Sequence, residues 1–329
     1  MEVLMKYRTF GRLGWRVSEV GHGMWGMGSW SGSDDDESRE ALAESVRLGC
    51  TFFDTAWVYG EGHSETLLGE LLRAHGNTHD RERLYVATKI PPLNYEWPAR
   101  ADAELSEVFP LDHIREYTER SLENLGVERV DLMQFHVWND AWAHDDRWRR
   151  AMEELKREGM IGGVGISIND LEPWNALDTL RTGAVDAVQV IHNIFEQAPE
   201  DELFPLCREL GIAVIARVPF DEGSLTGTLT RDSTWPAGDF RSAYFAGGAL
   251  DETLDRVEAM DRALPAGASL PETALRFILS HDAVSTVIPG MRRPHHVRAN
   301  LAASDAGPLP AEVLRQLREF RWDRGPSRG

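Results

Sequence analysis

The stretch FFDTAWVYGEGHSE (residues 52–65) decides the fold, because it joins a short apolar run to two chemically active side chains. The run FFD is typical of a buried strand; it ends in a carboxylate, Asp54, and a phenol, Tyr59, follows. A strand that ends in a polar residue recurs at Lys89 in LYVATKI and at His136 in VDLMQFHVW. The carboxyl ends of parallel strands meet at one edge, so these four side chains could converge on one point.

Outward from this stretch, short apolar strands alternate with amphipathic helices. Eight strand-like units run from VSEVGHGM (residues 17–24) to VSTVIPG (residues 284–290). This order predicts one domain, residues 1–329, folded as a (β/α)8 TIM barrel, and the segment KYRTFGRLGWRV before it predicts an N-terminal β-hairpin. An open doubly wound sheet is the structural rival, but no G-x-G-x-x-G motif opens a first helix.

Three segments are longer than ordinary connections between a strand and a helix: residues 91–110, 137–146 and 219–249. Each follows a strand, which places it on the C-terminal face of the predicted barrel. Long loops on that face usually carry function, so we expect them to form the walls of a pocket.

Composition excludes several classes of protein. The 54 acidic residues against 35 basic ones give a formal charge of −19, which argues against nucleic acid or an anionic membrane as the main partner. Hydrophobic residues make up 42% of the chain, enough for a sizeable core, and no apolar run approaches the ~18 residues of a spanning helix. Two cysteines and the lack of a signal-like start favour a reducing cytoplasm.

Together, the motifs resemble the aldo-keto reductase family over most of the chain. The resemblance implies that Tyr59 is the general acid in carbonyl reduction and the general base in alcohol oxidation, with Asp54, Lys89 and His136 beside it. The motifs that carry it, in chain order, are KYRTFGRLGWRV, FFDTAWVYG, ATKI, SLENLGVERVDLMQFH, GVGIS, VQVIHNIF, and VIPG with the helix pattern at Asn300.

The chemistry of the four residues supports this interpretation. A tyrosine with a pKa near ~10 gives up its proton only in a tuned environment. Lys89 would lower the pKa of Tyr59, and Asp54 would hold the ammonium group in place. His136 would orient the substrate oxygen. Taken singly, each residue has a structural explanation; their occurrence at successive strand ends favours catalysis.

For the cofactor, the resemblance places Ser167, Asn169 and Gln189 at the nicotinamide carboxamide. The family has adjacent Ser and Asn residues, whereas here Ile168 separates them, so either the turn differs or the Asn contact is lost. For Gln189, the alternative is a hydrogen-bonded polar residue inside the barrel.

After the seventh strand, the family often has an aromatic residue that stacks on the nicotinamide ring. This chain has Arg217 there. A planar guanidinium can also stack on a ring face. The alternative is a salt bridge from Arg217 to Asp221 or Glu222.

The segment VIPGMRRPHHVRAN resembles the site for the adenosine phosphate. Arg292 and Arg293 would clamp a 2′-phosphate, because guanidinium groups bind phosphate bidentately. NADP is therefore predicted, while NAD stays possible because His296 stands where the family often has Arg or Gln. The resemblance also assigns Gly290 to this site and Asn300 to the adenine. No metal site is predicted.

Four tryptophans near these motifs are the predicted lining of the substrate pocket: Trp25, Trp57, Trp97 and Trp138. Pockets lined by aromatic rings suit both apolar carbonyl compounds and the faces of sugars. The alternative is that these tryptophans are buried in the core. Aldehydes, ketones and sugars all remain open as substrates.

The predicted function is thus an NADP-dependent oxidoreductase that reduces an aldehyde, ketone or sugar carbonyl to the alcohol, or catalyses the reverse. Two other functions stay open. One is a Schiff-base aldolase or lyase that uses Lys89 as nucleophile. The other is a cofactor-sensing subunit resembling the potassium-channel β-subunits. The protein is expected to act as a monomer or a homo-oligomer.

Overall fold

The structure is a computed structural model that describes residues 4–28, 32–76, 83–236 and 238–325. Its strands are β1 (Tyr7–Phe10), β2 (Trp15–Ser18), β3 (His22–Gly23), β4 (Phe52–Asp54), β5 (Tyr85–Ile90), β6 (Val130–Phe135), β7 (Ile161–Ser167), β8 (Ala187–Ile191), β9 (Ala213–Arg217) and β10 (Val284–Val287).

Helices lie between the strands, and several are amphipathic. The helices are α1 (Asp35–Arg47), α2 (His63–His75), α3 (Leu105–Val108), α4 (Leu111–Leu125), α5 (Asp146–Arg157), α6 (Leu177–Arg181), α7 (Leu203–Leu210), α8 (Arg241–Tyr244), α9 (Ala249–Ala263), α10 (Leu270–Leu279), α11 (Pro294–Ala306) and α12 (Ala311–Arg318). α4 shows why they form: it buries Ile114, Thr118, Ser121 and Leu125 along one face.

Strands β3 to β10 form one parallel sheet in chain order. Parallel bridges from Val20 to Val287 and from Gly23 to Gly290 join its first and last strands, so the sheet closes on itself. The predicted (β/α)8 barrel is confirmed. Its first strand is much shorter than predicted, because Val17 and Ser18 pair within the hairpin instead.

The N-terminal hairpin covers the bottom of the barrel. β1 and β2 pair antiparallel, as predicted, and Phe10 and Val17 are fully buried. Phe10 stacks on Trp15 and on Phe52, at ring-centroid distances of 5.3 Å each. The barrel side chains that pack with the hairpin are Phe52, Tyr85, Ala87, Leu132, Ala187, Ala213, Ile215 and Ile288. Ligand access is therefore left to the opposite end.

The three long loops follow strand ends on that opposite, C-terminal face. Residues 91–110 contain α3, residues 137–146 contain a 3₁₀ turn, and residues 219–249 contain a further 3₁₀ segment and α8. None of the helices in the described part of the chain is both long and apolar enough to cross a membrane.

Candidate active site

Lys89 lies at the centre of the candidate site, with only 1% of its surface exposed. Its Nζ donates to Asp54 Oδ1 at 2.5 Å and to the carbonyl oxygen of Thr55 at 2.8 Å. The third partner is the hydroxyl of Tyr59, 3.4 Å away. An ammonium group has three donors, so Lys89 is held by a carboxylate and a carbonyl while it faces the phenol.

The second oxygen of Asp54 is held by two amides. Gln189 Nε2 donates to Oδ2 at 2.8 Å, and Gln134 Nε2 donates to it at 3.1 Å. Sequence reasoning missed Gln134, although it lies in the same apolar run as His136 and one residue before the end of β6. For Gln189, these bonds match the alternative of a hydrogen-bonded polar residue inside the barrel; its contact with nicotinamide stays a prediction.

The charges of this group bias its protonation states. Burial disfavours the charge of Lys89, but Asp54 and Tyr59 outweigh that effect and raise the pKa of Lys89. Burial also raises the pKa of Tyr59, and the opposing effect of Lys89 does not cancel it. Lys89 thus acts in the predicted direction, but burial of the phenol outweighs it, so the net pKa of Tyr59 lies above its ordinary value. At neutral pH Tyr59 is a protonated phenol beside a cation.

His136 completes the group. Its ring lies 5.8 Å from the ring of Tyr59, centroid to centroid, and also 5.8 Å from that of Trp97. Its Nδ1 is buried without a hydrogen-bond partner. Burial, and then the cations Lys89 and Arg217, hold the pKa of His136 well below its usual range. A neutral imidazole is thus in place to hydrogen-bond an uncharged oxygen.

Three of the predicted pocket tryptophans lie on the C-terminal side of the barrel. Trp97 is 44% exposed and Trp25 is 41% exposed. Trp97 meets His136 edge-on, and Trp25 meets Phe240 edge-on at a centroid distance of 5.6 Å. Trp57 is mostly buried against Tyr117. Exposed aromatic faces therefore come from three segments: the turn after β3 with Trp25, the loop 91–110 with Trp97, and the loop 219–249 with Phe240.

The fourth tryptophan, Trp138, does not line the pocket. It is fully buried, and its indole N–H donates to Thr179 Oγ1 at 2.8 Å. Its ring packs against Phe135, Trp142 and Trp148. The chain leaves the barrel after β6 and directs Trp138 towards the surrounding helices, so the pocket prediction for this residue is wrong.

The residues predicted to meet the carboxamide are separated. Ser167 ends β7 beside Gln189 and is 3% exposed. Asn169 instead bonds the loop 91–110: its Oδ1 accepts from the amide of Ala99 at 3.3 Å, and its Nδ2 donates to the Ala99 carbonyl at 3.2 Å. The alternative in which the Asn contact is lost fits this geometry, because both ends of the amide already have partners.

Arg217 crosses the mouth of the barrel at the end of β9. Its Nη2 donates to the carbonyl of Ile168 at 2.9 Å and to Asp170 Oδ1 at 2.6 Å, while its Nε has no hydrogen-bond partner. The predicted alternative of a salt bridge to Asp221 or Glu222 is wrong, since the ion pair goes to Asp170. Stacking of Arg217 on a nicotinamide ring stays a prediction.

A cationic cluster lies where α11 begins. Arg293 occupies the N-cap position of the helix, and its Nε donates to Glu37 Oε2 at 3.2 Å. Burial and the neighbouring Arg293 lower the pKa of Arg292, and burial and His295 lower that of His296. An anion in addition to Glu37 would reduce the repulsion between these cations. Helix N-termini favour phosphate as that anion. Nearby, Gly290 is exposed with open space around it, and Asn300 is buried.

The arrangement defines a class of protein: a barrel oxidoreductase with a buried Tyr–Lys–Asp group at the C-terminal ends of its strands and a cationic cluster at the start of α11. Comparison with known proteins gives the family. Residues 19–321 match the model of the aldo/keto reductase family. The chain belongs to that family and is an NAD(P)H-dependent oxidoreductase.

Individual relatives align along almost the whole chain. An NADH-specific methylglyoxal reductase from Escherichia coli is 28% identical over 96% of this chain and 99% of its own. A probable voltage-gated potassium channel subunit beta from Oryza sativa is 29% identical over 93% of each chain. The solved structure of a glycerol dehydrogenase from Gluconobacter oxydans, 27% identical, superposes with a TM-score of 0.78 and covers 98% of both chains.

Proposed function

We propose that this protein is an NADP-dependent reductase that converts an aldehyde, ketone or sugar carbonyl to the alcohol, or catalyses the reverse, with Tyr59 as proton donor. One observation carries the proposal. The Tyr59 hydroxyl lies 3.4 Å from Lys89 Nζ, and Asp54 holds that amine in place from the other side. A buried phenol faced by a fixed cation is arranged to lose a proton to a nearby oxygen.

The proton is the part of the reaction that this chain supplies. Tyr59 is protonated at neutral pH, since the ordinary pKa of tyrosine is near ~10 and burial raises it further. As its proton moves to the carbonyl oxygen, Lys89 stabilises the phenolate that forms. Neutral His136 hydrogen-bonds the same oxygen and orients it. In the reverse direction Tyr59 accepts the proton from the alcohol.

A bound nicotinamide cofactor supplies or accepts the hydride. The residues described above fit such a group at two ends: polar and cationic side chains at the ends of β7 to β9, and cations at the start of α11. We propose that the cofactor is held by Ser167, Gln189, Arg217, Gly290, Arg292, Arg293, His296 and Asn300.

Trp97 and Trp25 suggest which substrates enter. Both rings are exposed; Trp97 lies edge-on to His136 of the catalytic group, and Trp25 lies edge-on to Phe240 of the loop 219–249. Flat apolar surface of this kind binds rings and the apolar faces of sugars. We propose that the substrate carries its carbonyl on such a body, and that Trp97→Ala raises KM more for a cyclic ketone than for methylglyoxal.

Loss of NADPH absorbance over a panel of aldehydes, ketones and sugars tests the proposal. Turnover of at least one class supports it. No turnover, with NADPH bound tightly and released slowly, would favour the cofactor-sensing subunit, a function that the rice relative also suggests. A Schiff-base aldolase needs a neutral lysine as nucleophile, whereas Asp54 and Tyr59 raise the pKa of Lys89. Covalent trapping of a substrate on Lys89 by borohydride would support the aldolase function instead.

The choice between NADP and NAD depends on the two arginines and on Glu37. Arg292 and Arg293 favour a 2′-phosphate. Glu37 lies 3.2 Å from Arg293 and would repel one, and the relative from Escherichia coli is NADH-specific. We expect NADPH to be preferred in kcat/KM, and Arg292→Ala to reduce that preference tenfold or more. Glu37→Gln should increase it. A preference for NADH that Arg292→Ala leaves unchanged would overturn the NADP assignment.

A further inference from the structure

The C-terminal tail, residues 319–325, reaches the loop that follows β9. The tail leaves α12, and the amide of Trp322 donates to the carbonyl of Phe195 at 2.8 Å. Arg321 pairs with Asp201 on the barrel through two bonds of 2.7 and 2.6 Å. These contacts fix the path of the tail, which ends against the segment around Asp221.

At that point Arg324 makes a buried ion pair. Its Nη2 donates to Asp221 Oδ1 at 2.6 Å, and its Nη1 donates to the hydroxyl of Tyr244 at 2.6 Å. The Tyr244 hydroxyl donates in turn to Asp221 Oδ1 at 3.2 Å. Asp221 is 1% exposed and the Arg324 side chain 14% exposed, so solvent screens the pair weakly. One tail residue thereby joins both ends of residues 221–244.

Residues 219–249, the covering loop, lie along the proposed cofactor site. At one end, burial raises the pKa of the half-buried Glu222, and Arg217 is close enough to oppose that rise. At the other end Arg241 is close enough to Arg292 to lower its pKa further. Both positions, the end of β9 and the start of α11, are where we propose that the cofactor is held.

The backbone of the covering loop also needs an external anchor. Asp221 and Glu222 in the loop, and Val218 just before it, have positive φ angles of 47°, 56° and 54°. Such conformations are unfavourable for residues other than glycine and persist only where surrounding contacts impose them. The bonds from Arg324 to Asp221, and from Ser224 Oγ to Asp221 Oδ2 at 2.9 Å, supply contacts of that kind.

We infer that Arg324 is a positioning residue, a latch by which the C-terminal tail holds the covering loop closed and so slows release of the nicotinamide cofactor. The part that concerns the cofactor rests on the proposed function. The part that concerns the loop does not, because the ion pair joins two residues of this chain.

Two readouts on the full-length protein test the latch. The first is the rate of chymotrypsin cleavage at the exposed Phe240 in the cofactor-free protein. The second is the rate of NADPH release, followed by stopped-flow fluorescence. We expect Arg324→Ala to raise both rates tenfold or more, Tyr244→Phe to raise them less, and Arg324→Lys to restore part of the effect.

Arg321→Ala is the matched control, because it also removes a paired arginine from the tail. Arg321 pairs with Asp201 and Asp323 instead of the loop, and the bond from the Trp322 amide to the Phe195 carbonyl still holds the tail when Arg321 is replaced. Both rates should stay within twofold of the wild type. Single-turnover hydride transfer should also be unchanged in Arg324→Ala, which separates positioning from general damage.

Cleavage and release at the wild-type rate in Arg324→Ala would overturn the latch. If Arg324→Ala does not fold, equal rates in Tyr244→Phe and the wild type would overturn it. A third outcome is that Arg324→Ala is cleaved faster but the wild type does not bind NADPH. This result would support the anchoring of the loop by Arg324, and it would overturn both the proposed function and the cofactor role of the latch.

Discussion

At the scale of single residues, the electrostatics of the site depend on how the charge of buried Lys89 is compensated. Lys89 has a single ionised partner, Asp54, at hydrogen-bond distance, and Gln134 and Gln189 occupy the other oxygen of that carboxylate. Removing one partner of a buried pair leaves an uncompensated charge, which costs more than the pair itself contributes. The carboxylate is therefore needed both for stability and for the position of the amine.

Asp54→Asn should lower the free energy of unfolding by about 3 kcal/mol or more, because Lys89 loses its counter-charge in a dry interior. Urea unfolding measures this. Asp282→Asn is the control, since its pair with Arg208 is solvent-exposed and exposed pairs contribute little. Equal stability of Asp54→Asn and the wild type would contradict the account.

The pH dependence of carbonyl reduction follows from the raised pKa of Tyr59. Reduction needs the protonated phenol, so the rate should stay level from neutral pH to about pH 10 and fall only above it. Lys89→Met removes the cation that opposes the rise, so any residual activity should persist to still higher pH. The measurement is kcat/KM against pH; a fall between pH 7 and pH 8 would show a lowered pKa instead.

The residue types of the catalytic group could be predicted because strand ends are visible in sequence. The partners of several residues could not. Asn169 bonds Ala99, and Arg217 bonds Asp170, pairs that only the folded loops bring together. The direction of Trp138 could not be predicted either, since a residue beyond a strand end no longer follows the alternation of the strand.

At the scale of elements, the N-terminal hairpin closes one end of the barrel and leaves the other for ligands. Phe10→Ala should lower the free energy of unfolding by about 3–5 kcal/mol, because it leaves a cavity between Trp15 and Phe52. Leu4→Ala, at a position 70% exposed, should have no measurable effect. Equal free energies of unfolding for Phe10→Ala and Leu4→Ala would show that the hairpin does not pack as described.

The order of the elements could be read from the periodicity of apolar residues. The first barrel strand was harder to predict, because Val17 belongs to the hairpin although its apolar neighbours continue into β3. The anchoring of the covering loop by Arg324 left no signal, since an ion pair across 103 residues has no local pattern.

At the scale of the whole molecule, we propose that the chain is one folding domain. The barrel closes through bridges between its first and last strands, and Arg8 of the hairpin bonds the carbonyls of His281 and Val284. The packing of elements near the N-terminus therefore depends on elements near the C-terminus. Far-UV and near-UV circular dichroism should lose signal at the same urea concentration; two separate midpoints would indicate two domains.

The most direct test of the central claim is single-turnover hydride transfer by Tyr59→Phe, with the best carbonyl substrate from the panel. Tyr85→Phe is the matched control, because Tyr85 is almost equally buried, at 9% against 8% exposed, but lies at the bottom of the barrel. We predict that Tyr59→Phe slows transfer by about 10²–10⁴ while NADPH affinity is unchanged, and that Tyr85→Phe transfers at the wild-type rate. Transfer by Tyr59→Phe within threefold of the wild type would contradict the assignment of Tyr59 as proton donor.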